Sequence, residues 1–271
     1  MAPIGVFDSG YGGLTVLKKI TEKLPEYDII YLGDNARSPY GNRSFDLIYK
    51  YTIQAVQTLF DRGCRLVLLA CNTASAKALR NIQQKDLPII DPERRVLGVI
   101  RPTVEILGSI TKTGNIGILG TVGTIQSNSY VIEINKLFKD IKVTQEACPI
   151  WVPLVENDEI DNPGCEYFVE KNISNLLKKN NLIDTIILGC THYPLLSNVI
   201  KKHTPSGINI ISQDEIVAVS LCDYLKRHDD IDSSCGKNGI IQFLTTDSAE
   251  LFNERGAKFF GKEIISERIQ Y

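Results

Sequence analysis

The sequence predicts an α/β protein with two similar α/β domains, whose mainly parallel sheets face each other across a cleft. Apolar runs of strand length alternate along the chain with segments whose apolar residues recur at helical spacing. Two of these runs, Leu66 to Ala70 and Thr185 to Leu188, lead into a cysteine, further polar side chains and then a helix. Because open α/β sheets bind ligands at the carboxyl ends of their strands, both cysteines are candidate site residues.

In the first half, the elements follow from the period of the apolar residues, which is two in strands and 3.6 in helices. Leu14, Leu17 and Ile20 recur at helical spacing, and Ser44 is a typical helix N-cap. Pro102 is expected to start a helix. The predicted elements are strands at 3–7, 28–34 and 66–70, helices at 14–24, 45–60 and just after 71, and two apolar pieces separated by the charged residues 93–95.

From Asn115 the pattern begins again with a strand and a glycine-containing loop. Asp8 lies 63 positions before Cys71, and Thr121 lies 69 positions before Cys190, which indicates a repeated unit. The last segment is too short for a third domain, so it is expected to complete the first. The predicted domains are 1–98 plus 210–271 and 99–209. The later predicted elements are strands at 115–120, 141–149, 185–188, 208–212 and 239–247, and helices at 164–179, 216–225 and 248–260.

Composition excludes several classes of protein. The net charge of -2 offers no basic surface for nucleic acid, and the apolar runs are too short to span a membrane. The amino terminus enters a strand directly, so a cytoplasmic location is expected. The seven cysteines form no C-x-x-C pair, which argues against a disulfide framework or a zinc ribbon. His203 and His228 lie among charged residues and are expected to be solvated, which leaves His192 as the one histidine in a motif.

Two thiols on opposite walls of a cleft suit inversion of a carbon stereocentre. One removes a proton from one face while the other delivers a proton to the opposite face, and no cofactor or metal is needed. The step requires one thiolate and one thiol together, and a free cysteine with a pKa of about 8.5 is mostly protonated at neutral pH. Asp8 and His192 are the candidates for tuning the thiols. A cysteine hydrolase or amidase using one thiol, and a binding protein without activity, are the alternatives.

Four motifs, DSGYGG, GDNARSPYG, ACNTASA and GCTHYPLL, occur in one order along the chain. Together they strongly resemble the glutamate racemase family of the aspartate/glutamate racemase superfamily. The resemblance runs from about Gly5 to the end of the chain. It implies racemisation of glutamate, supply of D-glutamate for peptidoglycan, and a homodimer. Racemisation of another amino acid such as aspartate stays open, because pocket length decides it.

The same resemblance assigns roles to individual residues. It implies that Cys71 is the base toward D-glutamate and Cys190 the base toward L-glutamate. The supporting catalytic groups that it implies are Asp8, Glu156 and His192. The substrate-binding residues that it implies are Asp8, His192, Ser9, Pro39, Tyr40, Gly41, Asn72, Thr73, Thr121, Thr124 and Thr191.

Some residues allow a second interpretation. Asp8 could simply cap the following helix, and Glu156 lies in a polar segment that suggests an exposed surface. Arg37 is the one cation in the motif loops, so the substrate carboxylates are expected to be held by hydroxyl, amide and backbone N–H groups. At Ser212 to Glu215 the sequence departs from the family pattern, and no function is assigned there.

Overall fold

The computed structural model describes residues 1–271 and contains two parallel β-sheets. The strands are β1 (Ile4–Asp8), β2 (Ile29–Gly33), β3 (Leu66–Leu69), β4 (Arg95–Gly98), β5 (Asn115–Gly120), β6 (Lys142–Ala147), β7 (Thr185–Gly189), β8 (Asn209–Ile211), β9 (Ile241–Thr245) and β10 (Ser266–Arg268). The larger sheet has the order β10-β9-β2-β1-β3-β4, and the smaller has the order β6-β5-β7-β8. Every strand pair is parallel. The predicted fold class is therefore confirmed.

Helices connect the strands, as parallel pairing requires. They are α1 (Gly13–Lys23), α2 (Phe45–Asp61), α3 (Asn72–Lys77), α4 (Leu79–Asn81), α5 (Leu87–Ile90), α6 (Ile100–Glu105), α7 (Leu107–Ile110), α8 (Val122–Gln126), α9 (Ser129–Leu137), α10 (Trp151–Glu156), α11 (Pro163–Lys179), α12 (Ser197–His203), α13 (Asp214–Arg227), α14 (Asp229–Asp232) and α15 (Ala249–Phe260). Short 3-10 turns cover Asn35–Arg37 and Tyr193–Leu196, and a π-helical turn covers Ile82–Asp86. Ser44 caps α2 by accepting from the Leu47 amide at 3.4 Å. None of these helices is both long and apolar enough to cross a membrane.

The chain forms part of the larger sheet, then the whole of the smaller one, and then returns. Strands β1 to β4, β9 and β10 belong to the larger sheet, and β5 to β8 belong to the smaller. The domain division at 98/99 and 209/210 stays a prediction. Strand β8 pairs with β7 in the smaller sheet, so that sheet includes residues through Ile211.

The core covers both faces of each sheet, because successive side chains of a strand point to opposite faces. In β1, Val6 belongs to a 42-residue buried cluster that also includes Leu188 of the smaller sheet. Phe7 belongs to a 19-residue cluster on the other face of the larger sheet. Ile187 belongs to a third cluster of eight residues against the outer face of the smaller sheet. The first cluster therefore contains apolar side chains from both sheets.

Some local predictions were wrong. Helix α6 begins at Ile100, so Pro102 is its third residue and not its first. His203 is only partly exposed, with Nε2 3.1 Å from Glu166 Oε1. His228 stacks on the ring of Tyr224 at 3.9 Å between centroids. The contact of His203 joins residues 37 positions apart, so its neighbours in the sequence did not indicate it.

The partly exposed carboxylate of Asp184 stabilises the turn before β5 and generates a test of the fold. Asp184 accepts from the Thr111 hydroxyl and from the Lys112 and Thr113 amides at 2.6–2.7 Å. Burial would raise the pKa of Asp184, but these bonds outweigh it and lower the pKa to about 2. Because the folded pKa lies below the unfolded value, this stabilisation is complete above about pH 4 and is lost as the pH falls toward 2.

Replacing Asp184 with Asn should therefore lower the free energy of unfolding at pH 7 by about 1 kcal/mol, a modest value because solvent screens this partly exposed group. The difference from wild type should shrink between pH 4 and pH 2. Urea unfolding at several pH values measures it. A difference that stays constant down to pH 2.5 would contradict the role given to the carboxylate.

Candidate active site

The two cysteines singled out in the sequence line one cavity. Cys71 follows β3 of the larger sheet and Cys190 follows β7 of the smaller, and each is only 6% exposed. About 40 Å³ of the cavity is open to the centre of a water molecule, so the cavity is large enough to hold solvent. Its lining residues are Ser9, Ser38, Pro39, Tyr40, Gly41, Asn42, Cys71, Asn72, Thr73, Thr121, Cys148, Pro149, Val152, Pro153, Cys190, Thr191 and His192.

The thiol of Cys71 is held at the amino end of α3. Its Sγ accepts from the Ala74 amide at 3.5 Å and lies 3.5 Å from the Ser9 hydroxyl oxygen, to which the thiol donates. Burial raises the pKa of Cys71, the nearby Asp8 raises it further, and the contacts with Ser9 and Ala74 offset part of this. The resulting pKa is about 12, so Cys71 is a neutral thiol at pH 7.

The thiol of Cys190 is the first member of a polar chain. Nδ1 of His192 lies 3.9 Å from Cys190 Sγ, and Nε2 of the same ring lies 3.0 Å from Glu156 Oε1. Burial lowers the pKa of His192, but its hydrogen bonds to Cys190 and Glu156 outweigh burial and raise the pKa to about 10. His192 is therefore a cation at pH 7, next to Cys190.

Asp8 supports the site from behind the cavity wall. It is completely buried at the end of β1 and is absent from the cavity lining. Its Oδ1 accepts from the Gly10 amide at 2.9 Å, and its Oδ2 lies 3.5 Å from the Thr191 hydroxyl. Burial raises the pKa of Asp8, while the charge of His192 opposes that shift. The carboxyl group thus connects the loop after β1 with the loop after β7.

The two loops approach so closely that one position between them admits only glycine. A Cβ added to Gly12 would lie 2.3 Å from Thr191 Oγ1 and 2.5 Å from His192 Nδ1. The hydroxyl of Thr15 donates to the Thr191 carbonyl at 3.2 Å, one turn further along α1. The start of α1 therefore sets the position of the segment that follows Cys190.

Three threonine hydroxyl groups are hydrogen-bonded to one another at the part of the cavity wall formed by α3 and the loop after β5. The Oγ1 atoms of Thr73 and Thr121 lie 2.9 Å apart, and Thr124 contacts Thr121 at 3.0 Å and Thr73 at 3.5 Å. Thr121 lines the cavity, whereas Thr124 is completely buried behind it. The Gly123 amide donates to the Gly41 carbonyl at 2.7 Å. These contacts connect α3 and the loop after β2 with the loop after β5.

The loop after β2 contributes Pro39, Tyr40 and Gly41 to the cavity lining. Arg37 of the same loop does not line the cavity. Nε of Arg37 donates to Asp34 at 2.7 Å, and the guanidinium lies 4.1 Å from the ring centroids of both Tyr51 and Tyr271. No lysine or arginine lines the cavity. The groups that face it are hydroxyls, amides, thiols and one imidazole.

Eleven residues named from the sequence line the cavity, while Asp8, Glu156 and Thr124 lie behind it. Sequence reasoning missed six lining residues, namely Ser38, Asn42, Cys148, Pro149, Val152 and Pro153. Cys148 directly follows β6, as Cys190 directly follows β7, so the same pattern in the sequence could have identified it. The side chain of Glu156 is 17% exposed, so its polar neighbourhood wrongly suggested an open surface. No group of three or more His, Cys, Asp and Glu side chains is arranged to hold a metal ion.

Comparison with known proteins places these features in a family. The model of the family described as Asp/Glu/Hydantoin racemase matches residues 4–220, most of the chain. The chain belongs to this racemase family. It is 41% identical to the glutamate racemase of Persephonella marina, over 98% of this chain and 96% of that relative.

Solved structures of racemases have the same fold. A glutamate racemase from Bacillus anthracis, 37% identical, gives a TM-score of 0.89 and covers 99% of this chain and 97% of its own. The glutamate racemase of Francisella tularensis, solved in complex with D-glutamate, is 32% identical, gives a TM-score of 0.88 and has the same coverage. The two-sheet architecture is thus that of solved racemases.

The chain from Cys190 to Glu156 generates a test of the site. Replacing Glu156 with Gln removes the carboxylate that faces the imidazolium, so the pKa of His192 should fall from about 10 toward its ordinary value of about 6.5. The chain has three histidines, so an NMR titration of the imidazole protons can resolve each one. Glu166→Gln, which removes the partner of His203 instead, is the matched control and should leave the titration of His192 unchanged. An unchanged pKa of His192 in Glu156→Gln would refute this coupling.

Proposed function

We propose that this protein interconverts L-glutamate and D-glutamate without a cofactor, using Cys71 and Cys190 as paired acid and base. The observation that carries the proposal is that two thiols, which follow strands of two different sheets, line one cavity. The names of the similar proteins support glutamate as the substrate. The alternative, a hydrolase that uses one thiol, would not require both Cys71 and Cys190 to line the cavity.

In the proposed reaction, a thiolate removes the α-proton of the bound amino acid and leaves a planar carbanion. The opposite thiol then gives its proton to the other face, so the C–H bond broken on one side is replaced by a C–H bond on the other. Cys190 is the base toward L-glutamate and Cys71 the base toward D-glutamate. After conversion of L-glutamate, Cys190 holds the abstracted proton and Cys71 is a thiolate. Cys190 then gives a proton to solvent and Cys71 takes one from solvent before the next turnover in this direction.

The surroundings of the thiols support unequal protonation at the start. Cys71 is a neutral thiol, because burial and Asp8 disfavour its charged form. Cys190 lies beside the cationic His192, and an imidazolium stabilises negative charge on a neighbouring sulfur. The contact with His192 therefore favours Cys190 as the base toward L-glutamate, and the burial of Cys71 favours that thiol as the acid in the same direction.

The wider biological role also rests on the family resemblance. We propose that the product D-glutamate supplies peptidoglycan synthesis in the cytoplasm and that the protein is a homodimer. The proposed substrate-contacting residues are those named from the sequence, with Asp8, Thr124 and Glu156 acting from behind the cavity wall.

Substitution of each thiol tests the proposal. Cys71→Ser and Cys190→Ser should each reduce turnover in both directions by about 10² to 10⁴-fold, because serine is a far weaker acid than cysteine. Circular dichroism of either enantiomer, incubated with the purified protein and no cofactor, measures the rate. Cys222→Ser, which alters a thiol outside the cavity, should retain wild-type turnover. If Cys190→Ser kept near-normal conversion of L-glutamate, the two-thiol mechanism would be wrong.

The absence of lysine and arginine from the cavity lining generates a second test, of substrate recognition. Thr73→Ala and Thr191→Ala should each raise KM about three- to tenfold through the loss of one hydrogen bond to a carboxylate. Arg37→Ala should change KM less, because the guanidinium is held outside the cavity by Asp34, Tyr51 and Tyr271. Steady-state kinetics with both enantiomers measures this. Loss of binding in Arg37→Ala with unchanged KM in both threonine variants would contradict recognition of the carboxylates by hydroxyl and amide groups.

A further inference from the structure

Gln213 lies where the chain returns from β8 to α13, in the segment to which sequence reasoning assigned no function. It is only 4% exposed and forms no part of the cavity lining. A buried amide needs partners for its oxygen and its amino group, and those partners decide how it is oriented. Its contacts connect it to the active site.

Three side chains form a closed hydrogen-bonded ring. Nδ2 of Asn72 donates to Gln213 Oε1 at 2.7 Å, and Nε2 of Gln213 donates to the Tyr130 hydroxyl at 2.6 Å. That hydroxyl donates in turn to Asn72 Oδ1 at 2.7 Å. Each member donates once and accepts once, so all the bonds of the ring run in one direction.

A backbone carbonyl outside the ring fixes this direction. Nε2 of Gln213 also lies 3.3 Å from the Val99 carbonyl oxygen and 2.8 Å from Thr103 Oγ1. The Thr103 hydroxyl donates to the same carbonyl at 2.9 Å, so its oxygen must accept from Gln213. A carbonyl only accepts, and the amino group of Gln213 must therefore face it. The oxygen of Gln213 then faces Asn72, which must present its own amino group.

The fixed orientation matters because Asn72 lines the cavity, directly after Cys71. Its Oδ1 is occupied by Tyr130, and one of its two amide hydrogens is occupied by Gln213. The second hydrogen has no protein acceptor. If the Asn72 amide were flipped, its oxygen would face the oxygen of Gln213. Both atoms are acceptors, so no hydrogen bond could form between them.

We propose that Gln213 is a positioning residue, which holds the Asn72 amide so that its second N–H donates to a substrate carboxylate. This inference rests on the proposed function. Because the ring joins α3, α9 and the segment between β8 and α13, and Gln213 also contacts Val99 and Thr103 in the segment after β4, the alignment of Asn72 depends on how these parts of the protein pack together.

A double-mutant cycle tests the proposal. Gln213→Met, which keeps the length of the side chain and removes both polar atoms, should raise KM for both enantiomers about tenfold and change kcat less. Asn72→Ala should raise KM at least as much. Because Gln213 acts through Asn72, adding Gln213→Met to Asn72→Ala should raise KM no further. Tyr130→Phe breaks the ring at another bond and should also raise KM.

Thr103→Val is the matched control. It removes a hydrogen bond of Gln213 outside the ring and keeps the Val99 carbonyl that orients the Gln213 amino group, so it should lower the melting temperature and leave KM near the wild-type value. An unchanged KM in Gln213→Met and Tyr130→Phe, or equal effects of Gln213→Met with and without Asn72, would overturn the proposal and leave Gln213 a purely structural residue.

The same cycle measured as the dissociation constant of D-glutamate, by calorimetry, separates this inference from the proposed function. If the wild-type protein binds D-glutamate without racemising it, the proposed reaction fails, and the binding cycle still decides the role of Gln213. If it neither binds nor racemises glutamate, both proposals are wrong.

Discussion

The contact between Gly12 and the segment Thr191–His192 determines whether thiols from two sheets can share one cavity. A side chain at Gly12 would overlap both residues, and the closeness lets Thr15 and Asp8 reach Thr191 as well. The segment that follows Cys190 is therefore positioned by the loop and helix after β1, not by its own sheet alone. Since the two thiols follow different sheets, this contact connects the fold to the chemistry.

The two thiols are equally buried but have different neighbours. Each is almost completely inaccessible, so a charge on either depends on its neighbours rather than on water. Burial and the nearby carboxyl group of Asp8 keep Cys71 protonated, although the Ser9 hydroxyl and the Ala74 amide favour its charged form. Cys190 has the imidazolium of His192, supported by Glu156. A proposed racemisation needs one acid and one base at once, and this asymmetry supports that requirement.

Local patterns in the sequence predicted the parts of the structure that depend on local physics. Strands β3 and β7 are uninterrupted apolar runs, and the polar residues after them had to lie at the carboxyl edges of the sheets, so Cys71 and Cys190 could be identified. The polar residues next to Glu156 did not indicate its contact with the site, because its partner His192 lies 36 positions away in the sequence. Gln213 was missed for the same reason, since its partners lie 83 to 141 positions away. Such contacts arise from the packing of distant elements.

The position of solvent deuterium during the first turnovers tests the two-thiol mechanism most directly. L-glutamate is incubated with the protein in D2O, and the Cα isotope of product and of recovered substrate is measured by mass spectrometry after separation of the enantiomers. With opposed thiols, the product D-glutamate should carry deuterium, while recovered L-glutamate keeps its protium, because the abstracted proton stays on the face from which it came. Protium carried from substrate into product, or equal deuterium in both enantiomers, would show that a single base serves both faces and would contradict the mechanism.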